Sequence, residues 1–129
     1  MRGKTVRQEK GQALVELALL LPVLLLVLGG IIEFGRIFHA YLVITGASRE
    51  GARSAVVGEP YEEVREKVFS AAATLDEDDI AFSLDPENYT RGDMLTVTVT
   101  YDLDLVVPFI SALLPDPFPL RAATTMRVE

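Results

Sequence analysis

The stretch from Gly11 to Glu33, GQALVELALLLPVLLLVLGGIIE, constrains the chain most. Between Gln12 and Ile32 its only ionisable side chain is Glu16. About 20 residues rising 1.5 Å each cross a hydrocarbon core of roughly 30 Å, so this run is long enough to span a bilayer. What remains after Glu33 is short, and small domains bury a limited share of their surface. The sequence thus has room for one span and one small domain, with residues 1–11 as a basic leader, 12–33 as the span and 34–129 as an α+β domain in water.

Charge sets the expected topology. The leader carries Arg2, Lys4, Arg7 and Lys10 against Glu9 alone, whereas Glu33 to Glu129 holds 17 acidic and 8 basic side chains. The positive-inside bias places the N-terminus in the cytoplasm and the C-terminal domain outside it. An acidic exterior argues against a nucleic-acid partner, which needs Lys and Arg to neutralise phosphates. The chain has no cysteine, which removes disulfides, thiolate catalysis and cysteine zinc sites. The apolar run exceeds the usual core of a secretory signal, and no clean small-x-small cleavage site follows it.

Glu16 needs a reason. A carboxylate near a bilayer centre costs on the order of 2.5–3.5 kcal/mol on insertion scales, and less near the interface. It lies about one turn past Gly11. A cut between Gly11 and Gln12 would leave a new α-amino group about 6 Å along the helix from it. The alternative is an interfacial Glu reaching back to the headgroups. Pro22 removes the donor that would meet the carbonyl of Ala18. It is either a harmless kink or a bend that helps helices pack.

Past Ile32 the pattern becomes one-sided. Phe34, Ile37, Phe38, Tyr41, Leu42 and Thr45 recur at helical steps. One helix is expected from about Ala13 to about Val57, with Glu33 and Arg36 pairing one turn apart. Ala40, Ala47, Gly51 and Ala55 form a stripe of small residues, covered by strands of the same domain or by a neighbouring subunit. Arg49, Glu50 and Arg53 form a charged surface in which Glu50 reaches Arg53. That surface is either plainly salt-bridged or a partner site. Gly58-Glu59-Pro60 should end the helix.

A second helix is expected over Tyr61–Leu75, with acids at its start and Val64, Val68, Ala71, Ala72 and Leu75 on one stripe. Asp76–Asp79 lacks the spacing of a calcium loop and reads as solvated. Ile80–Leu84 and Leu120–Val128 alternate as strands, and Met94–Leu105 does so most clearly, with Leu95, Val97, Val99, Tyr101, Leu103 and Leu105 on one face. Arg91-Gly92-Asp93 falls in a hairpin loop. The proline-rich Val106–Pro119 is a loop with a short helix near Phe109–Leu114, its apolar side chains meeting the membrane or a neighbour. His39 has no partner histidine or cysteine, and no Walker, G-x-S-x-G or H-E-x-x-H motif occurs. No cofactor, metal, small-molecule substrate or enzymatic role is expected.

A basic leader ending in glycine, an apolar helix and a Glu five residues past the glycine resemble the type IV prepilin pattern. The wording GQALVELALLLPVLLLVLGGIIEFGRIF followed by SREGAR is similar to the TadE-like family, pilin-like proteins of tight-adherence pili. That resemblance is strong over residues 9–58 and weak beyond. It implies a pilin-like fold and cleavage between Gly11 and Gln12 by a prepilin peptidase. It further implies that Glu16 is an assembly carboxylate, that other pilin subunits are partners, and that the assembled protein sits in a surface pilus. Arg49, Glu50 and Arg53 become a family signature without assigned chemistry. The competing expectation is a bitopic envelope domain that binds a partner and never polymerises.

Overall fold

The computed structural model describes residues 2–129, with side chains from residue 5 onward. Met1 and the side chains of Arg2 and Lys4, all part of the basic leader, lie outside the described residues. A helix of 55 residues, α1 (Arg2–Val56), leads into α2 (Tyr61–Ala71), a 3-10 turn (Glu77–Asp79), β1 (Ile80–Asp85), β2 (Met94–Leu103), a short α3 (Pro108–Ser111) and β3 (Phe118–Arg127). The sheet is antiparallel in the order β1-β2-β3. This is the expected α+β architecture.

At 1.5 Å per residue α1 is about 80 Å long. It starts well before the expected Ala13. The leader contains no helix breaker apart from glycine, and a single interior glycine costs only about 1 kcal/mol. Propagation from the strongly helical apolar run therefore carries through Gly11. The helix also runs unbroken through Pro22. It stops where expected: Gly58 takes φ +85°, its N–H bonds to Ala55 O at 3.0 Å, and the Glu59 N–H bonds to Ser54 O at 3.4 Å. That pair of bonds closes the helix end around a left-handed residue, a role glycine fills without Cβ strain.

The core lies on the outer half of α1. Ala40, Ile44, Ala47, Ala52 and Ala55 are buried, as are Val64, Val68 and Ala72 from α2 and Leu95, Val97, Val99, Tyr101 and Leu103 from β2. The small stripe of α1 is thus covered by its own domain rather than left for a neighbour. The closest approach is at Gly51, where a Cβ would stand 2.5 Å from Val68 Cγ2 and 3.1 Å from Val97 Cγ1.

In the register, Leu84 faces Val97, Val99 faces Ala122, and Tyr101 faces Leu120. The buried side chains alternate along β2, so one sheet face rests on the helices and the other is wetter. Three elements end at least two residues sooner than expected, among them α3, which stops at Ser111 rather than near Leu114. Helix α2 stops at Ala71, where the Ala72 N–H is shared between Val68 O and Phe69 O, the tightening that ends a helix. Ala71 is exposed, off the buried stripe. Strand β2 stops at Leu103, where its pairing with Phe118 of β3 ends. Beyond it the Asp104 carbonyl accepts from Arg36, and the Leu105 N–H donates to Asp116.

Candidate functional site

The inner half of α1 has no core to face. Its most apolar 18-residue window has a mean hydropathy of 2.7 and is only 6% buried. Leucines and valines are exposed all round it, from Leu14 to Leu28. Such a surface is far larger than water tolerates on a soluble protein. By length and composition it suits a bilayer, where a helix satisfies its own backbone.

Glu16 and Gln12 lie on this surface one turn apart. The Gln12 side-chain amide donates to Glu16 Oε1 at 3.3 Å. Gly11 is inside the helix, with no other part of the fold near its Cα. Pro22 borders an apolar cleft with Val23, Leu25, Leu26 and, from the far end of the sequence, Phe109.

Glu33 holds the domain to the helix. Its side chain is 1% exposed and fully partnered. Arg36 donates to Oε1 at 2.6 Å, the expected pair. The backbone N–H groups of Val106 and Val107 both donate to Oε2 at 2.9 Å. Arg36 also donates to the Asp104 carbonyl at 3.0 Å. One carboxylate and one guanidinium thus clamp the segment that leads into α3. Sequence reading found the pair and missed the clamp. A partial signal was present: Val107 precedes Pro108 as a helix cap with no polar side chain, so its amide needs an acceptor from elsewhere.

The charged signature behaves differently from expectation. Arg49, Glu50 and Arg53 are exposed, but the Glu50–Arg53 pair does not form. Among the described residues the ion pairs are Glu33–Arg36 and Glu59–Lys67. Between the signature charges, Gly51 and Ala52 are buried. Two buried serines were also missed. Ser48 Oγ meets Thr124 Oγ1 at 2.8 Å and so ties α1 to β3, and Ser54 Oγ donates to Glu59.

Other polar groups serve local turns. Asp76 caps the 3-10 turn by accepting from the Asp78 N–H. Asp93 of the hairpin accepts from Thr90 N–H and Oγ1 at 2.8 and 2.9 Å, and these bonds hold its carboxyl below the usual range. His39 is exposed. Among the described residues no three His, Cys, Asp or Glu side chains converge as metal ligands.

The Lys67 ammonium donates to both Glu59 carboxylate oxygens, and Ser54 adds a further bond. Lys67, then Ser54, lower the Glu59 pKa below 4.5, and Glu59 raises that of Lys67 above 10.5. The Glu59 contribution to stability is therefore present above its ordinary value and lost as pH falls through the depressed one. The Lys67 contribution is present below its ordinary value and lost as pH rises through the raised one. Lys67→Met should lower the thermal midpoint most near neutral pH, and the difference from wild type should vanish once Glu59 is protonated. Melting curves across acid pH check this. A pH-independent difference would show that the pair is not its source.

These observations define a class: a protein with one helix long and apolar enough to cross a membrane, running into a small α+β domain. The family model described as TadE-like protein matches residues 11–53, a third of the chain, and over that stretch the chain is similar to the family. The match begins at Gly11, takes in the span and the Glu33–Arg36 pair, and ends at Arg53, before α2 and the sheet. No curated protein and no solved structure matches the chain.

Proposed function

We propose that the chain is a pilin-like subunit, of the minor kind, in the assembly of a tight-adherence type IV pilus. It inserts with its leader in the cytoplasm and its domain outside, and a prepilin peptidase cuts between Gly11 and Gln12. It then packs through its apolar helix against the helices of other pilin subunits. Its role is structural rather than catalytic.

The observation that carries this reading is the placing of Glu16. It is the one ionisable group of the span, on a helix face that the domain leaves bare, one turn from Gln12. In the uncut chain the Gln12 side chain is its partner. After cleavage the Gln12 α-amine, of this subunit or the next, would be a charged one. Arg49, Glu50 and Arg53, exposed on the same long helix, offer a polar contact to a neighbouring domain. Pro22 supplies a bend that adjusts the packing of the span.

Two measurements test this. N-terminal sequencing of protein from its own host should read from Gln12; retention of residues 1–11 would defeat the processing claim. Glu16→Ala should still insert but should enter filaments at least about tenfold less, equivalent to about 1.4 kcal/mol. That is a fraction of the roughly 4 kcal/mol that unit charges 4 Å apart exchange at an effective dielectric of about 20. Unchanged assembly of Glu16→Ala would sink the registration role.

A further inference from the structure

We infer that the segment 105–114, centred on α3, is a second membrane contact: an apolar wedge that enters the outer hydrocarbon layer alongside α1. This rests on α1 being a membrane span, and it adds to that reading a role for a part of the chain about 80 residues later in sequence.

The placement comes first. Val107 packs on Gly29, where a Cβ would stand 2.8 Å from its Cγ1, and Ile110 reaches Gly30. Phe109 lies deeper, sharing its cleft with Pro22, Val23, Leu25 and Leu26. The last charge of the leader is Lys10. A span of about 20 residues starting after it must include residues 22–30. Phe109 therefore sits level with residues that are inside the bilayer. Leu26 lies seven residues before Glu33 on α1, about 10 Å along the helix.

The surface comes second. The wedge turns Val106, Phe109 and Leu113 outward, with Phe109 71% and Leu113 77% exposed. These side chains continue the bare apolar surface of α1. The occupant that fits them is the one that fits the helix: lipid acyl chains.

The backbone comes third. Irregular backbone is tolerated at membrane depth only where its polar groups are satisfied within the protein. Here the N–H of Leu105 goes to Asp116, and those of Val106 and Val107 go to Glu33. Residue 108 is proline, with no N–H to satisfy. The N–H groups of Ile110 and Ser111 go to Val107 O and those of Ala112, Leu113 and Leu114 to Ile110 O, whereas the Phe109 N–H, at the start of α3, has no partner among the described residues. The Ser111 hydroxyl turns back to Pro108 O at 2.7 Å. Buried amides are paired in proteins that face water as well, so the clamp is compatible with either setting. The demand is strictest in hydrocarbon, where each unpaired amide costs several kcal/mol.

The chain has no cysteine, so single introduced cysteines are unique labelling sites. The full chain in phosphatidylcholine vesicles would carry an environment-sensitive fluorophore at Leu113→Cys, Leu20→Cys or Asn88→Cys. Asn88 is exposed in the β1–β2 loop. Doxyl-labelled lipid should quench the labels at 113 and 20, with iodide quenching lost at both, and the label at 88 should behave in the opposite way. Iodide access at 113 with lipid quenching at 20 overturns the wedge and leaves the span standing. Iodide access at both overturns the span itself. Shielding of 113 from both quenchers means that a second protein surface covers it, and this also overturns the proposal.

Discussion

Glu33→Ala should release the 104–111 segment from α1 and destabilise the domain by about 2–6 kcal/mol, the desolvation of the two amides it leaves without an acceptor. The reason is in the count of partners. Glu33 accepts two amides and a guanidinium, and it is 1% exposed. Its loss leaves the Val106 and Val107 amides without acceptors and Arg36 with only the Asp104 carbonyl. Each of the two orphaned amides carries its own desolvation penalty of about 1–3 kcal/mol, while Arg36, 36% exposed, stays in contact with water. For a domain of this size the thermal midpoint should fall by at least about 10 °C. Amide exchange should lose its protection at Val106 and Val107 first, while the amides of β2 lose theirs only with global unfolding. Glu33→Gln should fall between wild type and Glu33→Ala, because its carbonyl oxygen still accepts an amide. Wild-type protection at Val106 and Val107 in Glu33→Ala would show that the clamp does not hold the segment.

That prediction concerns a contact the sequence does not reveal, and the reason is distance along the chain. Glu33 and Arg36 are one turn apart, and helical spacing alone makes them neighbours. The amides of Val106 and Val107 lie 73 and 74 residues away. Only the sheet and the loop leading into α3 bring them back to the helix. Periodicity works for α1, α2, β1, β2 and β3 because each has one face on the same core, and the burial of Leu95, Val97, Val99, Tyr101 and Leu103 follows the alternation of β2. It fails at ends. Leu105 continues the alternation of β2 in sequence, yet β3 has no residue left to pair with it. Leu75 continues the stripe of α2, yet it is only partly buried, past the end of the helix. The leader reads as separate from the span by charge, but the backbone is indifferent to charge and stays helical through Gly11.

The candidate site divides the same way. Glu16 stands out from sequence because an acid in an apolar run is expensive wherever the chain goes. Arg49, Glu50 and Arg53 stand out as charges, and the expected pair among them is absent. What the fold uses from that segment is the glycine and alanine between them. Exposed charges in water gain little from pairing, so their sequence spacing is a weak guide to contact. A small residue under two valines has no such freedom.

Gly51→Val should destabilise the domain by about 3 kcal/mol, and Gly46→Ala, five residues earlier on the same helix, should do the reverse. Both replacements gain helix propensity. Gly46 has no other part of the fold within 4 Å of where a Cβ would stand, so alanine there should stabilise by about 0.5–1 kcal/mol. At Gly51 the same Cβ would come within 2.5 Å of Val68 Cγ2 and 3.1 Å of Val97 Cγ1. Neither valine can turn aside, because both are fully buried and β-branched. Overpacking of this kind costs about 1–3 kcal/mol and outweighs the few tenths that valine gains over glycine in a helix. The two methyl groups added beyond the Cβ place the result at the upper end. Since Gly51 is where α1, α2 and β2 meet, the strain has no single element to move. Thermal midpoints of both variants in one detergent, against wild type, decide the matter. A Gly51→Val protein that melts at or above wild type would mean that the three elements do not close on the helix there.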